Sequence, residues 1–191
     1  MTANPAAFDF LATRMSHPAK VMTGPAPSRA ELEPILTAAL RVPDHGKLEP
    51  WRLVVLEKPA LDRLADLAEA RARELGGDAE MIEKGRGIHE RGQLAIAVIA
   101  SPRPSDKIPP VEQVLSAGAL CLGIVNAATA AGWGANWLTG WTAHDAAFAA
   151  RAYGCRDGEW VAGVIYLGTP RAPMPDRPRP DLARVVTWVE T

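Results

Sequence analysis

Between Arg41 and Trp51 the chain reads RVPDHGKLEPW, with two prolines and a glycine around an adjacent aspartate and histidine. A loop of this composition, set between a helix-like and a strand-like segment, is shaped to present polar groups to a ligand. Asp44 beside His45 is compatible with a general-base pair, with two ligands of a metal, or with a turn whose carboxylate accepts nearby backbone amides. Near the start, Arg14, Met15 and Ser16 stand where a short amphipathic segment gives way to a polar turn, placing a guanidinium and a hydroxyl at a helix end.

Other chemistries lack their residues. A zinc site needs three or four ligands, but His17, His45, His89 and His144 show neither HxH nor HExxH spacing, and the cysteines add none, so no metal ligand is assigned. Gly132-Trp133-Gly134 continues as Ala135-Asn136-Trp137 and so departs from GxGxxG. No GxSxG elbow occurs, and Ser116 lies inside an apparent helix. Trp133, Trp137 and Trp141 recur every four positions, a spacing that aligns them on a helix, while the flanking glycines and aromatics suit a strand.

The elements that must position these residues follow from pattern. Phe8 and Leu11 mark a short helix ending at Arg14. Ser28 with Glu31 reads as a capping box opening a helix with Leu32, Ile35, Leu36, Ala39 and Leu40 inward. Leu53 to Leu56 is a compact strand, and Leu61, Leu64, Ala65, Leu67 and Ala68 recur at helical spacing as far as Gly76. Asp78 to Arg91 reads as a more charged helix, Leu94 to Ala100 as an apolar strand, and Val111 to Ala131 as a helix apolar on nearly every face. A short helix from Thr142 to Tyr153, a strand from Trp160 to Leu167, a Pro-rich arm and a β-type tail, Val185 to Val189, complete the chain. Single strands alternating with helices predict an α+β fold, a mainly antiparallel sheet flanked by helices.

With 191 residues, 48% of them hydrophobic, the chain can bury one core and is expected to form a single domain, 1–191, with an arm from 170 onward. The 21 Lys plus Arg and 22 Asp plus Glu leave a formal net charge of -1 without long runs of one sign, which argues against nucleic acid. MTANPAAFDF lacks a basic start leading into an apolar run, and no window offers the uninterrupted apolar stretch of about 20 residues that a membrane span needs. Glu112, Gln113, Ser116 and Asn126 also make the long helix too polar for a membrane, so a soluble, cytoplasmic protein is expected. Cys121 and Cys155 are too few and too far apart for a disulfide framework and are both expected to be reduced and buried.

The segments LATRMSHPAKV, ALRVPDHGKLEPWRLVVLE, KIPPVEQVLSAGALCLGI, GWGANWLTGW and VAGVIYLGTP, in this order, resemble the nitroreductase family, in particular its small single-domain NAD(P)H nitroreductase branch. The resemblance runs from about Phe8 to Val189. It implies a four- or five-stranded antiparallel sheet wrapped by helices in an intertwined homodimer with FMN at the subunit interface. The long apolar segment would then be the interface helix, and the tail would lie across the other subunit.

The resemblance also implies roles by position. Arg14, Met15 and Ser16 match the turn that holds the FMN phosphate, a dianion that an arginine fork binds bidentately. Arg41 and His45 match flavin-contacting positions, so His45 is expected to bind rather than to shuttle protons. Trp137, Leu138 and Thr139 match the strand beside the flavin, with Leu138 where an arginine occurs in a relative. Gly168 matches a glycine that lets backbone approach the cofactor, and one of Arg171, Arg177 or Arg179 is expected to add a second phosphate cation.

The implied activity is transfer of electrons from NADH or NADPH through FMN to a small electrophilic acceptor such as a nitroaromatic or quinone, with no catalytic side chain required. The same resemblance leaves room for other flavin tasks, namely flavin or oxygen chemistry, dehalogenation, or flavin sensing without turnover.

Overall fold

Seven consecutive apolar residues form the strand Leu94–Ala100, and all seven are buried. A half-exposed strand would alternate apolar with polar residues, so an unbroken run requires cover on both faces. The computed structural model, which describes residues 2–190, supplies it. Its strands are β1 (Met22–Thr23), β2 (Trp51–Glu57), β3 (Leu94–Ala100), β4 (Gly134–Leu138) and β5 (Trp160–Pro170). Its helices are α1 (Pro5–Thr13), α2 (Arg29–Ala39), α3 (Lys58–Glu74), α4 (Ala79–Glu90), α5 (Pro110–Ala130), α6 (Trp141–His144), α7 (Ala146–Tyr153) and α8 (Leu182–Val185).

The sheet runs β1-β5-β3-β2, with β4 also paired to β5, and each pairing is antiparallel. Odd and even residues of β3 feed separate cores. Ala95, Ala97 and Ile99 pack with Leu61, Leu64, Phe148 and Tyr153 of α3 and α7. Leu94, Ile96 and Val98 pack with Leu32, Ile35, Leu120 and Ile124 of α2 and α5. The protein is therefore an α+β fold in which helices sandwich an antiparallel sheet, as the alternation of elements predicts.

Local signals set most boundaries. Ser28 and Glu31 form the expected capping box, with the Ser28 amide 2.8 Å from Glu31 Oε2. Of the residues predicted to face inward on α2, Leu32, Ile35 and Ala39 are buried, Leu36 is half-buried and Leu40 is exposed. The predicted helix from Thr142 to Tyr153 is two helices, because Asp145 adopts extended dihedrals. Its carboxylate caps α7 through the Phe148 amide (2.6 Å) and takes both ends of the Arg71 fork at 2.9 and 3.0 Å. Residues 186–190 carry no strand: the predicted β-type tail has no strand partner among the described residues, and Trp188 and Val189 are each 83% exposed. Cys121 is buried as expected, whereas Cys155 is half-buried, and both are free thiols.

By length and mean hydropathy, 1.5 over its most apolar window, α5 does meet the composition of a membrane span, contrary to the expectation from the sequence. Its setting in the fold is that of a core helix, packed against α2 and against β3, β4 and β5. One face remains uncovered, however, and Val111 (60%), Leu115 (66%) and Leu122 (46%) stand exposed along it.

One ion pair ties the strand ends together. Glu159 at the start of β5, with a side chain only 7% exposed, accepts from the Arg52 guanidinium (2.7 Å), the Ser101 hydroxyl (2.7 Å) and the Arg156 amide (3.0 Å). Arg52 in turn donates to the carbonyls of Tyr153 and Gly154 at the end of α7. The guanidinium lowers the Glu159 pKa from its usual 4.5 to about 2. A carboxylate depressed in this way contributes stability that is complete above about pH 4.5 and is lost as pH falls toward 2. Glu159→Gln should therefore destabilise the fold by about 2 kcal/mol at neutral pH, and the difference from the parent protein should shrink below pH 4.5 in urea titrations.

Candidate functional site

The turn after α1 is fixed at both ends. The Arg14 amide closes the helix on the Phe10 carbonyl (2.8 Å), and the His17 amide donates to the Ala135 carbonyl of β4 (2.9 Å). That bond lies on the edge of β4 away from β5. Strand groups alternate in direction along an antiparallel ladder, so Trp137, two residues on, offers its N–H and C=O to the same open edge. Arg14, Met15 and Ser16 are half-buried and line a cavity of about 260 Å³ with Leu11, Arg177 and Arg179.

The chief electrostatic feature is Arg14 itself. Its Nη1 is fully buried and has no hydrogen-bond partner among the described residues. An unpaired donor on a charged group costs a few kcal/mol, which an anion in the cavity would offset. Burial lowers the pKa of the neighbouring His17 and so favours its neutral ring.

At the end of β4 the three predicted residues divide by face. Trp137 lies across Gly163 of β5, where an added Cβ would come within 2.0 Å of the indole Nε1, so only glycine admits the ring. Leu138 packs on the core cluster of Val164 and Phe148, which leaves its backbone rather than its side chain available to a ligand. Thr139 is half-buried with its hydroxyl unbonded among the described residues, and it shares a groove of about 650 Å³ with Trp137, Trp160 and the exposed face of α5.

Arg41 and His45 lie elsewhere on the chain surface. Both are exposed, and neither lines the Arg14 cavity or the Trp137 groove. His45 Nδ1 is 2.6 Å from Glu112 Oε2 in the first turn of α5. Asp44 takes the turn reading, accepting the amides of Leu48 (3.2 Å) and Glu49 (2.8 Å). The loop is pinned to α5 through Ser116, whose hydroxyl donates to the Pro43 carbonyl (2.8 Å) and accepts from Trp51 Nε1 (3.1 Å). Gly168 lies within β5 opposite Gly134, and a Cβ placed there would come within 2.9 Å of the Thr23 carbonyl of β1.

Sequence reasoning missed Glu112, Ser116 and Gly163. The first two act across 67 and 73 residues of chain, and nothing local marks them. Gly163 sits beside a register shift in the β3–β5 ladder, which a glycine in an apolar run can hint at but not locate.

The sequence matches the family model described as "Nitroreductase family" over residues 11–169. It is 34% identical over 165 residues to the Escherichia coli K12 protein named "Putative NAD(P)H nitroreductase YdjA", covering 86% of this chain and 88% of that one. It is 37% identical over 164 residues to a Haemophilus influenzae protein named "Putative NAD(P)H nitroreductase", covering 85% and 88%. Among solved structures, the nitroreductase-like family protein from Bacillus cereus superposes over the whole of both chains with a TM-score of 0.81 at 19% identity. A Desulfovibrio desulfuricans protein described as "a putative nitroreductase in complex with fmn" superposes at 0.74 with 22% identity, covering 100% and 99% of the two chains.

The loop anchor can be tested apart from any ligand. Ser116→Ala leaves the Pro43 carbonyl and Trp51 Nε1 without their shared partner and should lower the urea-derived stability by about 2 kcal/mol. A change below about 0.5 kcal/mol would mean that the anchor contributes nothing beyond an ordinary surface contact.

Proposed function

The chain belongs to the nitroreductase family, and on that premise we propose that it is an FMN-dependent oxidoreductase. It would move electrons from NADH or NADPH to a small electrophilic acceptor such as a nitroaromatic or a quinone. The observation that carries this reading is the buried, unpartnered Nη1 of Arg14 in a basic cavity beside an open strand edge.

The residues fit the cofactor. A phosphate ester brings the negative charge that the Arg14 guanidinium lacks, and the Ser16 hydroxyl adds a neutral donor at the same turn. The open edge of β4 at Trp137 and the free Thr139 hydroxyl supply hydrogen bonds to a polar ring edge, while the apolar groove beside them accepts a planar aromatic body. When bound, FMN supplies a ring that accepts hydride and releases electrons to an acceptor. The chain's own part is to hold, orient and desolvate. Arg14 and Ser16 anchor the phosphate, and Trp137 and Thr139 set the position of the ring. Water or the acceptor itself can supply the proton, so no side chain is assigned a catalytic role.

The same reading includes a soluble, cytoplasmic homodimer. The exposed stripe Val111, Val114, Leu115 and Leu122 on α5 continues into the Trp137 groove. A second copy seated there by a two-fold axis would cover apolar surface that a monomer leaves in water. It would also bring its Arg41 and His45 toward the first copy's Arg14 and Trp137, joining groups that one chain keeps apart. The exposed arm residues Val185, Trp188 and Val189 would find cover on the other copy in the groove of about 820 Å³ beside the free edge of β2.

Two measurements test this. Purified protein incubated with FMN should show flavin absorption bands that bleach on anaerobic addition of NADH or NADPH. Absence of bands would overturn the cofactor assignment, and bands that persist would point to a flavoprotein without reductase activity. Leu115→Glu places a charge in the centre of the α5 stripe, and sedimentation should convert a dimer to a folded monomer whose flavin affinity falls at least tenfold, about 1.4 kcal/mol.

A further inference from the structure

The short span that follows β4 does little to hold itself. The β4–β5 pairing ends at Leu138, and neither the backbone of Thr139 nor the Gly140 amide makes a hydrogen bond among the described residues. Only the Gly140 carbonyl is used, accepting the Ala143 amide in the first turn of α6 (3.2 Å). Gly140 takes φ 76° and ψ 176°, a conformation open to glycine and strained for other residues, so the chain turns sharply between strand and helix. What fixes Thr139 and Gly140 must therefore lie beyond them.

Trp141 is the first residue past the turn, and it is fastened to α4. Its indole Nε1 donates to the Met81 carbonyl (3.1 Å), and its ring lies on Gly85, where a Cβ would come within 2.7 Å of Cζ2 and 3.0 Å of Nε1. A residue without a side chain at 85 is what lets the indole reach the helix backbone. Phe148 meets the ring edge-on (6.1 Å, 61°) and is itself stacked on His89 (5.6 Å, 21°), one turn beyond Gly85 on α4. At its other end α6 runs into Asp145, whose carboxylate takes the Arg71 fork of α3. Since α4 packs chiefly on α3, both ends of α6 are tied to the same pair of helices.

We infer that Trp141 is a positioning residue: by fastening the start of α6 to α4 it fixes where Thr139 and Gly140 stand, and so where the edge of the bound ring is met. Trp141 does not line the groove that Trp137 and Thr139 share, so it acts through the span and not by contact. The role of Thr139 toward a flavin ring rests on the function proposed above, whereas the anchoring of the span does not. Ring and phosphate are then positioned by different parts of the molecule. The turn that carries Arg14 is set by the edge of β4, and the span that carries Thr139 is set by α4.

Trp141→Phe keeps an aromatic ring but removes the donor to Met81. In fluorescence titrations of protein stripped of flavin, it should raise the Kd for riboflavin and for FMN by the same factor, about fivefold, whereas Arg14→Ala should raise that for FMN alone. Gly85→Ala reaches the same span from α4 by crowding the indole. It should weaken riboflavin about fivefold in the parent protein but less than about twofold in the Trp141→Phe background, because the two changes damage one contact. Two unrelated injuries to the fold would instead multiply. Should Gly85→Ala fail to fold, the equality of the two factors in Trp141→Phe decides alone. Riboflavin affinity within about twofold of the parent in Trp141→Phe, unequal factors for the two flavins, or multiplying effects overturn the inference and leave the flavin reading in place. If the parent protein takes up neither flavin, the flavin reading falls, and NMR decides the anchor. Thr139 and Gly140 amide resonances that move on Gly85→Ala in the parent, but not in Trp141→Phe, sustain it, and resonances indifferent to Gly85→Ala overturn it.

Discussion

The constraint on which the molecule depends is that its two central strands are buried on both faces. β3 has no exposed residue, and β5 is buried continuously from Gly163 to Gly168. A sheet of this kind leaves water only when helices cover both sides, and the chain places α3 and α7 on one side and α2 and α5 on the other. The sheet's margins, β4 and β2, are then the places where backbone remains available, and the candidate site lies along one of them. The Arg52–Glu159 pair holds the strand ends at the opposite side of this arrangement, linking β2, β5 and the end of α7.

Position at a margin accounts for the character of the site. Arg14 and Ser16 belong to a turn laid along β4 by one backbone bond from His17 to Ala135. Trp137 is oriented by the absence of a side chain at Gly163. Both devices act through backbone and packing rather than through charge. The cationic side chains that line the cavity are those of Arg14, Arg177 and Arg179, and burial lowers the pKa of the neighbouring His17.

The apolar face of α5 has the same origin as its buried face. A helix of alanines, leucines and valines with little polar surface cannot satisfy itself against one sheet. Its inner side takes Leu120, Ile124 and Ala128 into the core, while Leu115 and Leu122 remain outside. The α1 residues Phe8 and Leu11 and the arm residues Trp188 and Val189 are exposed in the same way. Apolar residues on three separate elements are thus left in water, and they are the surface on which the proposed dimer rests.

Much of the fold was legible in the sequence because its signals are local. The capping box at Ser28, the helical spacing from Leu61 to Ala68 and the unbroken runs of β3 and β5 each describe a few neighbouring residues and fix one element. The resemblance to the family likewise rested on short motifs, among them the turn Arg14 to Ser16, which lies along β4, and the residues Trp137 and Leu138 that end that strand. Local pattern failed at Asp145, where a bond from distant Arg71 rewards a break in the helix, and at the tail, whose β-type composition has no strand beside it in this chain. It also left undecided whether the three tryptophans formed a helix or a strand until Gly163 gave Trp137 a place to lie. The sequence by itself determined which segments are helix, strand and shaped loop, because those preferences act over a few bonds. That Glu112 meets His45 and that Arg41 lies apart from Trp137 were decided only by the tertiary structure, because these depend on distances between residues that the chain order leaves unconstrained.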